Sequence, residues 1–292
     1  MKLDAPKVAV VTGASRGVGR GIARALGAKG MTVYVTGRST TTSLGRLGRQ
    51  PLSGTIHETA REIDQLGGRG IAVGCDHGDD AAVQALFAQV ATETGRLDIL
   101  VNNATYLHDS LIDRGGFWER PLELAGILNV GLRSGYVASY YAAPLMVRQR
   151  HGLIAFTSSY GGACYMHGPA YGAQKAGVDK FAADMAVELQ EHHVAAVSLW
   201  LGPQQTERTA VAMALRPGTY EEFMAQAETP EFNGRVLHAL ACDPDLMSLT
   251  GMTHISAELA ERYAITDSDG QVRPSYRQFL GAPRVAHPAI VQ

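Results

Sequence analysis

Two residues that could move a proton stand four apart in Tyr171-Gly172-Ala173-Gln174-Lys175, a stretch predicted to open a helix, where that offset stacks both side chains on one face. A free phenol has a pKa of about 10, so acid–base work near neutrality requires a shift of roughly three units, or about 4 kcal/mol. One ammonium at about 4 Å, with an effective dielectric of about 20, supplies a comparable amount. Hydroxyls follow the apolar run Gly152-Leu153-Ile154-Ala155-Phe156-Thr157, which is predicted as a strand, and Ser158 or Ser159 at its end could bond a substrate oxygen. A Tyr–Lys pair on a helix is by itself ordinary surface chemistry, so its meaning depends on what the rest of the chain brings to it.

The first stretch that bears on this question is Val8-Ala9-Val10-Val11-Thr12-Gly13-Ala14-Ser15-Arg16-Gly17-Val18-Gly19. A β-branched run of buried-strand composition passes through a glycine turn into the helical pattern of Ile22, Ala23 and Leu26. A helix N-terminus after such a turn offers unpaired N–H groups and a positive dipole end, so its natural guest is an anion. Gly13 suits the tight turn, Gly17 the close approach of a pyrophosphate, and Gly19 the packing of helix on strand. This is a dinucleotide site in strand-first order, and Ser15, Arg16 and Val18 belong to the same turn. Gly13-Ala14-Ser15-Arg16-Gly17 also satisfies G-x-S-x-G, the nucleophile elbow of serine hydrolases. An elbow follows earlier strands that furnish its oxyanion hole, whereas only a seven-residue lead precedes Val8.

Thr32-Val33-Tyr34-Val35-Thr36 is a second strand, ending in Gly37-Arg38. An acid at this place would bind the adenosine 2′-hydroxyl and repel a 2′-phosphate. Arg38, with Arg16, instead offers guanidinium groups suited to a phosphate. A charge-assisted bond of about 1.5–3 kcal/mol would favour NADP(H) by roughly tenfold to a hundredfold. Residues 39–54 read as a surface insertion without elements, lying over the adenosine end. Thr55-Ile56-His57-Glu58 is a capping box that opens a helix to about Leu66. A third strand ends at Asp76, which could accept a bond from an adenine amino group, and a helix follows from about Asp79 to Thr94. The fourth strand, Leu97–Val101, runs into Asn102-Asn103-Ala104, amides suited to holding both a bend and a ribose. A long helical pattern from about Leu122 to Arg148 includes Asn129. Alternating strands and helices with right-handed crossovers predict an α/β, three-layer, doubly wound parallel sheet of the Rossmann type.

Among 292 residues, 26 basic and 28 acidic side chains leave a net charge of −2, which gives no basic field for nucleic acid and no polybasic membrane patch. Small molecules or further copies of the chain are the expected partners. Cys75, Cys164 and Cys242 are scattered, and His167, His192 and His193 lack metal-ligand spacing. A reducing compartment, no metal and, with no secretory lead or spanning run, a cytoplasmic location are therefore expected.

The glycine turn at Gly13, the Asn102-Asn103-Ala104 strand end, Asn129, the serine pair, and Tyr171 with Lys175 occur in an order that resembles the short-chain dehydrogenase/reductase family over about Lys7 to Glu207. The resemblance implies a hydride transfer between NADP(H) and a secondary alcohol or carbonyl. Tyr171 would be the proton donor and acceptor, Lys175 would lower its pKa and bond the nicotinamide ribose, Asn129 would hold a water, and Ser159, in preference to Ser158, would polarise the carbonyl. Where relatives carry an apolar residue against the nicotinamide, Leu201-Gly202-Pro203-Gln204-Gln205-Thr206 has Gln204, while Thr206 still fits a cofactor contact. The resemblance further implies a homo-oligomer, dimer or tetramer. Residues 1–270 are expected to form one domain, with 206–235 covering the substrate and 271–292 an extended arm. A serine hydrolase using Ser15, or a sensor that binds NADP(H) without turnover, are the alternatives.

Overall fold

The computed structural model describes residues 7–218 and 221–291. Residues 1–6, Thr219, Tyr220 and Gln292 lie outside the described residues, and with them most of the N-terminal lead and part of the segment read as covering the substrate.

β1 (Val8–Val11) leads through the glycine turn into α1 (Gly17–Gly27), then β2 (Thr32–Gly37). The insertion that follows is not structureless, as expected above, but folds into an antiparallel hairpin of β3 (Gly45–Leu47) and β4 (Gln50–Leu52). Leu47 and Leu52 are the buried residues that anchor it. α2 (Ile56–Gln65) begins at the capping box, both of whose reciprocal bonds are formed, and β5 (Arg69–Gly74), α3 (Asp80–Thr94) and β6 (Ile99–Asn102) complete the first half.

The pattern from Leu122 to Arg148 is not one helix. A 3-10 turn at Leu122–Ala125 is followed by a kink at Val130 and Gly131, and only then by α4 (Ser134–Gln149). Gly131 has φ 141°, a conformation open to glycine alone. Its freed backbone groups are satisfied by side chains: its N–H donates to Ser134 Oγ at 3.0 Å and its carbonyl accepts from Gln174 Nε2 at 3.1 Å. Helical periodicity cannot register a break whose partners are side chains elsewhere.

β7 (Gly152–Ser158), α5 (Pro169–Leu189) and β8 (Val194–Trp200) follow. The segment after Thr206 divides into α6 (Glu207–Leu215), α7 (Glu221–Met224) and α8 (Pro230–Ala241), before β9 (Thr253–Ile255) and α9 (Ser256–Arg262). The tail is only partly an extended arm. Arg273 is buried on Asp267 at 2.8 Å, the Tyr276 N–H donates to Tyr160 OH at 3.0 Å, and α10 (Arg277–Leu280) follows. Residues 284–291 are exposed.

The seven strands of the main sheet lie in the order β5-β2-β1-β6-β7-β8-β9, and every pairing is parallel. Alternate residues of β1 feed opposite cores, as the period of two requires. Ala9 and Val11 pack with Ile22, Leu26 and Phe232, whereas Val8 and Val10 pack with Leu86, Val90 and Ala142. The α1–α8 contact is close because it is built on glycine. A Cβ on Gly21 would stand 2.2 Å from Pro230 Cβ, and one on Gly234 would stand 2.5 Å from Ala25 Cβ. The sheet is thus wound both ways from the β1/β6 boundary, where a crevice opens at the strands' carboxyl ends. Among the described residues no helix is long and apolar enough to cross a membrane.

Candidate active site

β7 ends in the two serines, and the backbone separates them. Ser159 Oγ lies 2.9 Å from Tyr171 OH, while Ser158 is buried and donates to the Lys175 carbonyl at 3.3 Å. The structure therefore brings Ser159 to the tyrosine and turns Ser158 toward the body of α5. Gly161 makes room for the phenol, since a Cβ there would stand 2.7 Å from the Tyr171 ring. His167, at φ 59°, and Gly168, at φ 105°, reverse the chain just before α5 and set the imidazole edge-on to the Tyr171 ring, centroids 5.0 Å apart.

Lys175 is on the same helical face, but its ammonium does not reach the phenol oxygen. Nζ donates to the Thr157 carbonyl at 3.2 Å and lies 5.4 Å from the centre of the Tyr171 ring. Burial dominates both groups. It lowers Lys175 to about 8, against the opposing pull of Asp179, and raises Tyr171, against the opposing bond from Ser159. The expected depression of the tyrosine by an ammonium at about 4 Å is thus not found, because desolvation disfavours both charged forms before they can help each other. Asp179 escaped the sequence reading, although its spacing of four from Lys175 was a signal. It accepts from Ser198 Oγ at 2.6 Å and Trp200 Nε1 at 2.9 Å, and burial raises it. Asn129 is exposed at the kink before α4, its carbonyl accepting from the Ser134 N–H. Among the described residues it makes no hydrogen bond to Tyr171 or Lys175.

At the β1/β6 boundary lies a cleft of about 600 Å³, lined by Gly13, Ser15, Arg16, Gly17, Val18 and Gly19 from the turn and by Arg38, Asp76, Asn103, Ala104 and Thr206 around it. Gly13, at φ 65°, makes the turn, and a Cβ on it would stand 2.8 Å from Ala104 Cα. Asn103 acts on this turn through its side chain, which donates to the Thr12 and Gly13 carbonyls at 2.9 and 3.1 Å. The bend takes the amide, leaving the ribose to other groups.

The two arginines differ. Arg16 is engaged by the segments on either side of the hairpin, donating to Ser39 Oγ and Ser43 Oγ at 2.8 Å each, to the Gly54 carbonyl at 2.9 Å and to the Ser53 carbonyl at 3.0 Å. The side chain of Arg38 is 64% exposed, and its carboxylate neighbour Asp76 is 3.8 Å away. Arg38 is thus the more exposed and more loosely held of the two guanidinium groups. Ser15 Oγ makes no hydrogen bond to an imidazole among the described residues, and His77 in the same cleft is held by Thr36 Oγ1 at 2.8 Å. Among the described residues the elbow serine is thus not hydrogen-bonded to a base.

Glu207, expected only as the start of the substrate-covering segment, occupies the anion position. Its Oε2 accepts from the Gly17 N–H at 2.9 Å, and its Oε1 stands 3.4 Å from Arg20. Thr206 caps α6 beside it, accepting from the Thr209 N–H at 3.2 Å. The bare glycine backbone, the α1 terminus and Arg38 fit a dinucleotide, and Glu207 is an internal carboxylate on ground that its phosphates would take.

Gln204 turns inward. Its amide nitrogen donates to the Gly202 carbonyl at 3.0 Å and also to Glu228, and its oxygen accepts from Asn233 Nδ2 at 3.0 Å. Glu228 is a buried acid, further satisfied by the Gly202 N–H and by Asn233 Nδ2, each at 3.1 Å. A polar residue stands in the relatives' apolar slot because this carboxyl requires donors. Burial raises Glu228 to about 7.

The family model described as short chain dehydrogenase matches residues 7–216. The chain is 42% identical over 282 residues to mouse dehydrogenase/reductase SDR family member 1, covering 92% of this chain and 86% of that protein. It is 30% identical over 251 residues to the 3-oxoacyl-[acyl-carrier-protein] reductase of Escherichia coli, covering 80% and 95% of the two chains. Among solved structures, a putative dehydrogenase from Xanthomonas campestris superposes with a TM-score of 0.73 over 98% of both chains at 24% identity, a likeness of fold. A short-chain type dehydrogenase/reductase from Mycobacterium marinum gives 0.69 at 26% identity, over 86% of this chain and 94% of that one.

Two outcomes follow from the acids. Removing the charge in Glu207→Gln is expected to tighten binding of the nicotinamide dinucleotide about fivefold, or roughly 1 kcal/mol. Titration by fluorescence checks it, and equal or weaker binding would show that the carboxylate does not compete. Glu228 is raised from 4.5 to about 7, so the stability that its protonated form contributes is fully present below about pH 4.5 and lost as pH rises through about 7. Melting temperatures at pH 5 and pH 8 should therefore differ less in Glu228→Gln than in the unaltered protein, whatever the absolute level.

Proposed function

Because the chain belongs to the short-chain dehydrogenase/reductase family, we propose that it is an NADP(H)-dependent oxidoreductase acting on a secondary alcohol or carbonyl, with Tyr171 moving the proton. The observation that carries this reading is the 2.9 Å contact between Ser159 Oγ and Tyr171 OH on a phenol held against His167 and Lys175. The nicotinamide, when bound, supplies the hydride to the carbonyl carbon or accepts it from the alcohol.

In reduction the phenol of Tyr171 gives its proton to the substrate oxygen, and in oxidation the phenolate takes it back. Ser159 donates a hydrogen bond to that oxygen and fixes its direction. Lys175 contributes a positive field from beneath the ring, and its Nζ, bonded to the Thr157 carbonyl, is the donor suited to the nicotinamide ribose. Gly13, Ser15, Gly17, Val18, Gly19, Asn103, Ala104 and Thr206 hold the dinucleotide by backbone and small side chains, with Asp76 at the adenine end. The preference for NADP(H) is assigned to Arg38, since Arg16 already serves the segments on either side of the hairpin.

Tyr171→Phe should lower kcat for carbonyl reduction by at least a hundredfold while the Kd for NADPH stays within about twofold; retained turnover would remove the proton role. Arg38→Gln should reduce the ratio of NADH to NADPH dissociation constants by about tenfold or more, a loss of roughly 1.5 kcal/mol for the phosphate. An unchanged ratio would assign the discrimination elsewhere.

A further inference from the structure

A second cavity, of about 320 Å³, lies beside the start of α5 and reaches Tyr171. Its walls are apolar, from Leu111, Phe117, Leu122, Leu124 and Leu128, and the ionisable side chains that line it are Arg120, His167 and Tyr171. No carboxylate is among the lining residues. Burial, Arg120 and Lys175 all push His167 below its usual range, which leaves Arg120 as the pocket's permanent cation.

Arg120 has an unusual set of partners. Its Nη1 donates to three backbone carbonyls, those of His167 at 3.2 Å, Leu111 at 3.4 Å and Asp113 at 3.5 Å. Its Nε is buried without a partner, and Nη2 donates to no described residue. Nη2 occupies the space above Gly168, where a Cβ would stand 2.1 Å from it. Nε and Nη2 form the edge of the guanidinium that matches the two oxygens of a carboxylate. Among the described residues Arg120 forms no ion pair, although its neighbours Asp113 and Arg216 pair with each other at 2.9 Å. A half-buried guanidinium ordinarily has a carboxylate on that edge.

We propose that Arg120 is a specificity-determining residue and that the pocket takes a carbonyl or alcohol substrate with an apolar body and a carboxylate, the carboxylate bonding Arg120 while the reacting oxygen lies at Tyr171 and Ser159. The proposal rests on the oxidoreductase reading above. Gly168, under Nη2, is the N-cap residue of α5 and Tyr171 is the third residue of that helix, and Arg120 and Tyr171 line the same cavity, so one substrate can present its carboxylate to the first and its reacting oxygen to the second. Apolar Phe117 and Leu122 are exposed at the cavity, which suits an apolar body. A phosphorylated carbonyl would present a larger negative charge and three acceptor oxygens, and calls for more donors than one guanidinium edge supplies.

The test compares an aliphatic oxo acid with its methyl ester, using the protein with NADPH. The acid should have a kcat/KM at least tenfold above that of the ester, the difference lying in KM. Arg120→Leu should raise KM for the acid tenfold or more and leave kcat and the ester constants within about twofold. Arg120→Gln keeps an amide donor for the loop carbonyls but not the charge, so it should lose the same preference, and it serves where the leucine variant does not fold. Parallel losses on acid and ester, or an ester preferred by the unaltered protein, would overturn the assignment. Calorimetry of oxo acid binding reads Arg120 without turnover. Binding weakened tenfold in either variant supports the proposal even if the oxidoreductase reading fails, whereas equal binding, or none in any form, overturns it.

Discussion

Hydrogen bonds between the ends of β1 and β6 hold the site open at the place where the chain's two halves part. Thr12 Oγ1 accepts from the backbone N–H groups of Asn103 and Ala104, each at 2.9 Å, and the Asn103 amide returns to the carbonyls of Thr12 and Gly13. Gly19 packs onto the same knot, since a Cβ on it would stand 2.4 Å from the Gly13 carbonyl. The sheet runs one way through β2 and β5 and the other through β6 to β9. Together with the Thr12 N–H, which donates to the Val101 carbonyl at 3.0 Å, this fastening holds the glycine turn before α1 against the chain that leaves β6 at Ala104. The cleft is therefore a consequence of topology, and the Thr12–Asn103 bonds set its shape.

The second centre, at the ends of β7 and α5, is held differently. Tyr171, Lys175 and Asp179 share a helix and are all largely withdrawn from water, so each is disfavoured in its charged form. Lowering Lys175 from 10.5 to about 8 corresponds to a cost on the order of 3 kcal/mol for keeping it charged. That is a substantial part of the stability of an ordinary domain. A helix designed for stability alone would have placed an apolar residue there. The carbonyl of Thr157 and the carboxyl of Asp179 offset part of the cost, and the same burial excludes water from the tyrosine.

Acids fasten the covering elements to the sheet's carboxyl edge. Glu207 ties the start of α6 to the glycine turn, and Glu228, through Gln204 and Asn233, ties the loop after β8 to α8. Ser256 extends the second network by donating to Asn233 Oδ1 at 2.5 Å. The region over the cleft is thus fastened by carboxylates on backbone N–H groups and amides. Such contacts respond to charge and to anionic ligands more than apolar packing does.

Period-two and helical patterning, with the capping box at Thr55 and the glycine turn, determined the parallel α/β fold, because each of these signals lies within a few residues, and the order of Gly13, Asn102-Asn103-Ala104, Asn129, the serine pair and Tyr171 with Lys175 determined the family. The spacing of Tyr171 and Lys175 likewise determined that they share a face. Tertiary structure decided what each side chain does there. Arg16 looked equivalent to Arg38 until the segments on either side of the hairpin, through Ser39, Ser43, Ser53 and Gly54, closed on it, Gln204 looked misplaced until Glu228 was buried beside it, and the helix expected across Asn129 breaks where Ser134 and Gln174 satisfy Gly131. The choice between Ser158 and Ser159 depended on which way the last residues of β7 turn. In each case the deciding partner lies far along the chain or depends on burial, and burial belongs to the folded chain as a whole, so local residue order could not express it.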